Sequence, residues 1–300
     1  MLVIDSITKR YRRLEPVNRD VSFTVEPGQL TALLGHNGAG KTTLLTQICG
    51  VAKPTSGDIR LGDVSLVRNP AYARRACSLM AQLHAPLNGI TPRAAISSVA
   101  RIRGLSPSEA RAQTDDVIRR LSMEEWADRA GHKLSGGLRR MTSYGMATVV
   151  PAPVLLIDEP TNDVDPERRP VIWKDLRHLA ERGHIVLVVS HNLLEVERAA
   201  DRVLLMKEGQ VILDGSPRDL SGSTGTSTLK VVVRQEASSL ALPPCVRSER
   251  EPAGQVALVL AQDQIPAAAR WAAQLHEDGR IESFVLEPAS LESVYAGVHA

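Results

Sequence analysis

Residues 35–42 read GHNGAGKT and match the pattern G-x-x-x-x-G-K-[ST] at every fixed position. The glycines let the backbone wrap closely and point its N–H groups at phosphate oxygens. A strand pattern over 29–34 precedes the loop, and a helical stretch from 41 to about 49 adds the positive end of its dipole. The loop therefore predicts a site for a nucleoside triphosphate and Mg²⁺, formed by Gly35, His36, Asn37, Gly38, Ala39, Gly40, Lys41 and Thr42.

Two members of this loop have individual roles. Lys41 supplies a cation to the outer phosphates, and the Thr42 hydroxyl is a ligand for Mg²⁺. The alternative is a chance glycine-rich turn before a helix. That alternative does not explain why the Lys-Thr pair and both flanking elements occur together.

Two short apolar runs farther along the chain, VLLI at 154–157 and IVLVV at 185–189, predict buried strands. Continuous runs are typical of parallel strands that are buried on both faces. A helical stretch over 168–182 lies between them, so the three segments form a βαβ unit. Because ligands gather at the carboxyl ends of parallel strands, the residues that follow each run are candidates for the site.

Asp158 and Glu159 follow the first run, and His191 follows the second after one serine. We expect Asp158 to hold Mg²⁺, directly or through water. Glu159 is placed to orient and deprotonate the attacking water, and His191 is a candidate sensor of the γ-phosphate. Taken alone, an Asp-Glu pair is as well explained by a solvated strand end, and a lone histidine is usually a satisfied surface or core residue. The upstream loop favours the catalytic interpretation.

Composition limits the class of protein. The chain has 300 residues, a net charge of +2 and 3% aromatic residues, which argues against a nucleic-acid partner. No run reaches the roughly 18 apolar residues that a spanning helix needs, so any membrane attachment is expected to come through a partner. Three unpaired cysteines, at 49, 77 and 245, fit a reducing cytosol and the role of small apolar filler.

The length allows one large domain and a smaller second one. Residues 92–130 have mostly helical spacing, and SGSTGTST at 221–228 predicts a flexible linker. We therefore expect a large domain over 1–220 and a small α+β domain over 229–300, where acidic residues outnumber basic ones. Its predicted strands are 229–234, 256–260 and 281–286, with helices at 265–276 and 291–298.

The segment LSGG at 134–137, about twenty residues before the acidic pair, makes the assignment specific. Together with the loop, the acidic pair and His191, it resembles the ATP-binding cassette (ABC) ATPases over residues 2–220. The resemblance implies an α/β P-loop NTPase cassette with a RecA-like core and an N-terminal β region. A helical subdomain over about 83–145 and a small α+β C-terminal domain complete the expected fold.

The resemblance also implies roles for further residues. Tyr11 would stack on the adenine of ATP, and Thr43 would lie close to the phosphates. Gln82 is similar to the Q-loop glutamine, which takes part in catalysis and in holding Mg²⁺. TNDVD at 161–165 is similar to the D-loop of the family.

The family works as a sandwich dimer in which two cassettes grip each ATP. By resemblance, Ser135, Gly136 and Gly137 would contact the γ-phosphate held by the opposite cassette, and Asp165 would arrange the joint between them. The implied partners are a second cassette, with a homodimer favoured and a heterodimer as the alternative, and an integral membrane permease. The permease would contact the chain around Gln82 and residues 84–96, at the cytoplasmic face of the membrane.

Some positions depart from the family pattern. Leu138 stands where the signature usually has Gln, and Asp163-Val164 stands where the D-loop usually has a small residue and Leu. Both lie on the surface offered to the opposite nucleotide. The basic pair Arg139-Arg140 is interpreted as part of a solvated face.

The tail FVLEPASLESVYAGV at 284–298 bears on the direction of transport. It resembles the C-terminus of the ATPases of drug, antibiotic and polysaccharide exporters, although an ordinary amphipathic closing helix is an alternative. We therefore favour an export ATPase that works by ATP-driven dimer closure. An import ATPase and a soluble, non-transport ABC protein are the other hypotheses.

Overall fold

In a computed structural model of the chain, the structure describes residues 1–12, 14–83, 87–223, 226–234, 240–250, 254–288 and 290–299. The chain divides into two compact units, Met1–Gly215 and Ser216–Ala300.

The first unit mixes strands and helices along the chain. Its elements are β1 (Leu2–Lys9), β2 (Asn18–Val25), β3 (Leu30–Gly35), α1 (Lys41–Ile48), β4 (Ser56–Leu61), β5 (Val64–Ser65), α2 (Pro70–Ala76), β6 (Cys77–Met80), α3 (Pro92–Ile102), α4 (Pro107–Arg120), α5 (Gly136–Thr148), β7 (Val154–Asp158), α6 (Arg169–Glu181), β8 (Ile185–Val189), α7 (Leu193–Ala199), β9 (Arg202–Lys207) and β10 (Gln210–Gly215).

A six-stranded sheet, in the order β10-β9-β3-β8-β7-β6, organises this unit. All of its pairs are parallel except β10 with β9. Every residue of β3, β7 and β8 is buried, which confirms the prediction of parallel strands covered on both faces. Because these three strands run in the same direction, their carboxyl ends meet at one edge of the sheet.

An antiparallel sheet, in the order β2-β1-β4-β5, packs its apolar residues into the same core. Cys49 and Cys77 belong to this core, and Cys245 is half-buried; all three are free thiols. The two buried cysteines therefore act as small apolar residues, as predicted. No helix among the described residues is long and apolar enough to cross a membrane.

Helices α3 and α4 lie within residues 92–130, which the sequence predicts to be mostly helical, and α5 follows them in the same region. Ser106 caps α4 with a capping box that includes Glu109, and Ser135 caps α5 by accepting from Leu138 N at 3.3 Å. Leu138 packs against a small apolar cluster of Leu87, Ala95 and Leu134. The residue that departs from the family pattern is thus part of the packing in this region.

The second unit is a small α+β fold. Its elements are α8 (Pro217–Ser223), β11 (Thr226–Val233), β12 (Arg247–Arg250), β13 (Gln255–Ala261), α9 (Ile265–Glu277), β14 (Ile281–Pro288) and α10 (Leu291–His299). The strands pair antiparallel in the order β12-β13-β11-β14. Apolar residues of α9 and the sheet form a core of their own.

The predicted linker at 221–228 takes a different form in the structure. Helix α8 continues to Ser223, and β11 begins at Thr226, while 224 and 225 lie outside the described residues. Ser227 pairs with both Leu260 and Pro288, so ladder contacts on two sides order this polar segment. The unit boundary correspondingly lies between Gly215 and Ser216 rather than after residue 220.

Candidate nucleotide-binding site

The glycine-rich loop joins β3 to α1, and its last glycine fits a tight position. Gly40 has φ of 99° and is the N-cap residue of α1. A Cβ at this position would lie 2.5 Å from both Asn18 Nδ2 and Val17 O. The buried Asn18 donates to Gly40 O at 3.2 Å and accepts from Gln47 Nε2 at 2.8 Å. The glycine-rich sequence pattern gives no indication of Asn18, which lies at the start of β2 and supports the loop through these hydrogen bonds.

The Lys41 ammonium lies inside the loop. Its Nζ donates to Gly35 O at 2.6 Å and to His36 O at 2.9 Å. Burial lowers the pKa of Lys41, while the nearby carboxylates of Glu159 and Asp158 oppose that shift. The loop thus holds a cation next to backbone N–H groups, the arrangement that binds phosphate oxygens.

Thr42 and Asp158 meet at the sheet edge, where Thr42 Oγ1 donates to Asp158 Oδ2 at 2.8 Å. Asp158 is 2% exposed, and burial raises its pKa against the opposing effects of Thr42, Arg140 and Lys41. A hydroxyl and a carboxylate are oxygen ligands of the kind that Mg²⁺ takes together with substrate phosphates and water. The pair therefore fits a magnesium ion that accompanies a bound triphosphate.

Glu159 and His191 form a second pair. Glu159 Oε2 accepts from His191 Nδ1 at 2.8 Å and from the His191 backbone N at 3.3 Å. Burial raises the pKa of Glu159, whereas the charge and hydrogen bonds of His191 lower it. The ends of β7 and β8 place a nearly buried carboxylate beside an exposed imidazole, so the carboxylate is held in a fixed orientation.

Ten residues line one cleft of about 240 Å³ at this edge: Val17, Asn37, Gly38, Gly40, Lys41, Thr42, Thr43, Gln82, Asp158 and Glu159. The structure therefore brings Gln82, Asp158 and Glu159 to the loop, as the sequence predicts. Ala39 is buried behind the loop.

Other predicted residues lie outside this cleft lining. Tyr11 is exposed, with Lys9 Nζ at 4.7 Å from the centre of its ring. Ser135 and Gly136 are exposed at the start of α5, and a Cβ on the buried Gly137 would lie 2.6 Å from Asp163 O. Asp165 is exposed, and its carbonyl accepts from the next turn. This separation is compatible with a role of residues 135–137 toward a second cassette.

Arg140 corrects the interpretation of the pair Arg139-Arg140 as a solvated face. Its side chain is fully buried, and it donates to main-chain carbonyls of Ala81, Gln82, Asp158 and Glu159. Burial lowers the pKa of Arg140, although nearby acidic groups oppose the shift. The cation is buried because α5 directs it toward oxygens that the fold gathers from distant segments, which no local pattern predicts.

Glu195 on α7 is a further residue that the sequence analysis missed. Its carboxylate accepts from Thr161 Oγ1 at 2.7 Å, Trp173 Nε1 at 2.7 Å, Asn192 Nδ2 at 2.7 Å and Arg169 at 3.2 Å. It thus joins the turn after β7, helix α6 and the segment after His191. The spacing Asn192-x-x-Glu195, a helix-capping pattern, was the available signal.

A glycine-rich loop between β3 and α1, with an acidic pair at the end of β7 on the same edge of the sheet, defines the chain as a P-loop nucleoside triphosphatase. A family model described as "ABC transporter" matches residues 18–162. The Nod factor export ATP-binding protein I of Burkholderia lata is 31% identical over 97% of this chain and 94% of its own length. The protein of the same name from Paraburkholderia xenovorans is 35% identical over 73% of this chain and 72% of its own length. The chain belongs to the ABC transporter family, as an ATP-binding, ATP-hydrolysing subunit.

Solved structures agree with the fold. The ATP-binding subunit of an ABC transporter superposes with a TM-score of 0.68 at 25% identity, covering 75% of this chain and 93% of its own. The bacterial cassette MJ0796, solved as a dimer, gives a TM-score of 0.65 at 23% identity, covering 72% of this chain and 98% of its own. Both confirm an α/β ABC cassette.

Proposed function

We propose that the chain powers export through a membrane permease by hydrolysing ATP between two cassettes. The observation that carries export is the similarity to an export ATP-binding protein over 97% of this chain, including the C-terminal unit. The tail at 284–298 supports the same direction of transport.

The site suggests how hydrolysis proceeds. Backbone N–H groups of 35–42 and the Lys41 ammonium bind the phosphates of ATP, and Thr42, Asp158 and Gln82 would hold Mg²⁺. When bound, Mg²⁺ neutralises charge on the phosphates. Glu159 then accepts a proton from the attacking water, and His191 holds the carboxylate that does so.

Further assignments rest on the family resemblance. Tyr11 would stack on adenine, and Thr43 would lie beside the phosphates. Ser135, Gly136 and Gly137 would approach the γ-phosphate of a second cassette, with Asp165 at the joint. A second copy of this chain is the favoured mate.

The permease would dock beside Gln82 on the cytoplasmic side of the membrane. A cleft of about 310 Å³ lies there, between the end of β6 and the helices α3 and α5. Leu83 and Ile102 in this region are 86% and 83% exposed. Exposed apolar side chains beside a cleft favour a protein partner.

Lys41→Ala and Glu159→Gln test the catalytic assignment. We expect Lys41→Ala to weaken both ATP binding and turnover. Glu159→Gln should keep ATP bound while turnover falls by about 10²–10⁴-fold, since only the base is lost. Binding of a fluorescent ATP analogue and steady-state phosphate release are the measurements.

Glu181→Gln, on the exposed end of α6, is the matched control and should leave both quantities unchanged. Normal turnover by pure Glu159→Gln protein would refute the role of this carboxylate. The direction of transport has a separate test in the neighbouring reading frames. A six-span permease without a solute-binding protein supports export, and a binding-protein gene contradicts it.

A further inference from the structure

Arg140 uses its whole guanidinium on main-chain oxygens of the site. Nε donates to Glu159 O at 2.9 Å, and Nη2 donates to Glu159 O at 2.7 Å and also to Asp158 O. Nη1 donates to Gln82 O at 2.6 Å and to Ala81 O at 3.0 Å. None of these bonds involves a carboxylate, so the contact acts on the backbone that carries the acidic side chains.

The contacted backbone has an unusual conformation. Glu159 has φ of 53°, a region that non-glycine residues rarely adopt. Such a conformation persists where the surroundings hold it, and two guanidinium nitrogens hold the Glu159 carbonyl. The direction of the Glu159 side chain depends on this peptide.

Arg140 also links three parts of the chain. It lies on α5, whose N-cap is Ser135, and it reaches both the end of β7 and the segment that carries Gln82. Removing the fork would leave carbonyls of both segments without these donors. Gln82 and Glu159 line the same cleft, so their relative position depends on this contact.

We propose that Arg140 is a positioning residue for ATP hydrolysis: its guanidinium fixes the peptides at Asp158 and Glu159 and ties them to the Gln82 segment. This inference rests on the proposed function of Glu159 as the base. The buried guanidinium donates to main-chain carbonyls, so it acts through the backbone that aims Glu159 and Gln82.

Lysine cannot replace this contact. An ammonium keeps the charge but is a compact donor, whereas the guanidinium is a planar fork that serves two separate segments at once. Arg140→Lys therefore removes the geometry and retains the cation. Arg139 is the matched control, because it is adjacent on α5 and its side chain donates to Gly131 O and His132 O, away from the acidic pair.

The experiment compares Arg140→Lys with Arg139→Lys in the full chain. We expect Arg140→Lys to lower kcat by about 10²-fold, the effect of a misplacement of about 1 Å. Affinity for a fluorescent ATP analogue should stay within about threefold, because the loop at 35–42 is intact. Arg139→Lys should change neither quantity.

A double-mutant cycle separates positioning from general stability. If Arg140 acts through Glu159, Arg140→Lys should have little further effect on the residual turnover of Glu159→Gln. An equal loss in both backgrounds, wild-type kcat, or failure of Arg140→Lys to fold would overturn the proposal. Normal turnover by Glu159→Gln alone would instead overturn the proposed function, so the two failures are distinguishable.

Discussion

Gly38 and Gly40 have similar backbone conformations but different surroundings. Their φ angles are 86° and 99°. No described atom lies within 4 Å of a Cβ built on Gly38, whereas one on Gly40 would clash with Asn18 and Val17. Substitutions at the two glycines therefore measure separately the cost of backbone strain and the cost of side-chain crowding within one loop.

We expect Gly38→Ala to lower the free energy of unfolding by about 1–2 kcal/mol, the cost of a left-handed residue. Gly40→Ala should lose a further amount of about 1–3 kcal/mol, because the Cβ is also overpacked. Denaturant unfolding without nucleotide measures both values. Equal losses would contradict the contact with Asn18.

At the scale of single residues, the sequence predicted those residues whose spacing is required for nucleotide binding and hydrolysis. Five loop residues line the cleft with Asp158, Glu159 and Gln82, as expected: Asn37, Gly38, Gly40, Lys41 and Thr42. Asn18 and Arg140 were missed because their partners lie far away in sequence: Gly40 O and the Gln47 side chain for Asn18, and main-chain carbonyls for Arg140. The contact of His191 Nδ1 with Glu159 Oε2 at 2.8 Å was also beyond prediction, because it joins the ends of two separate strands.

The Glu195 carboxylate connects three elements, and both of its oxygens accept hydrogen bonds from them. Thr161 and Trp173 donate to one carboxylate oxygen, and Arg169 and Asn192 donate to the other. Glu195→Gln places an NH₂ group where one oxygen accepts two of these bonds. The variant keeps the size of the side chain but replaces one acceptor with a donor, so the donors around it can no longer all be satisfied.

We expect Glu195→Gln to cost about 1–3 kcal/mol of unfolding free energy, the penalty for unsatisfied buried donors. Turnover should also fall, because the segment that carries His191 loses its tie to α6. Glu181→Gln, exposed at the other end of α6, should stay within about 0.5 kcal/mol of wild type. Comparable unfolding curves for the two variants would argue against the network.

Strongly apolar elements were the predictable ones. The strand at 185–189 was predicted with the bounds that the structure has. Helix α5 was covered only by the helical subdomain that the family resemblance implied, and residue spacing did not predict it, because it contains Gly136, Gly137 and Gly145, which are poor helix formers. It forms through its Ser135 cap and close packing: a Cβ on Gly145 would lie 2.9 Å from Ile96 Cδ1.

The two units have separate cores, and every residue of the nucleotide cleft lies in Met1–Gly215. We propose that residues from 216 onward form a separately folding domain, with the boundary earlier than the composition of 221–228 suggested. A chain truncated after Gly215 should therefore bind Mg-ATP with the affinity of the full chain. Titration with a fluorescent ATP analogue checks this, and weakened binding by a folded truncation would count against the boundary.

The last prediction concerns assembly. Asp163 lies beside Gly136, within 3.5 Å of a Cβ built there, and its charge acts on Arg140. A carboxylate that faces a triphosphate across a dimer would be repelled by a few kcal/mol at about 4 Å. The positive charge of Arg140 offsets part of this repulsion. Leu138 packs into its own helical cluster, so it offers the opposite nucleotide no polar group.

We therefore expect the isolated chain to dimerise weakly and to hydrolyse ATP slowly until a membrane partner holds two cassettes together. The rate per molecule should rise with protein concentration, and Glu159→Gln with bound ATP should sediment as a dimer at lower concentration than wild type.

The variant Leu138→Gln tests the altered signature residue directly. Loss of the family's neutral hydrogen bond costs only about 0.5–1.5 kcal/mol, and Gln would disturb the cluster around Leu134, so the variant should not restore fast turnover. Rapid, concentration-independent hydrolysis by dilute wild-type protein, already dimeric, would contradict weak assembly.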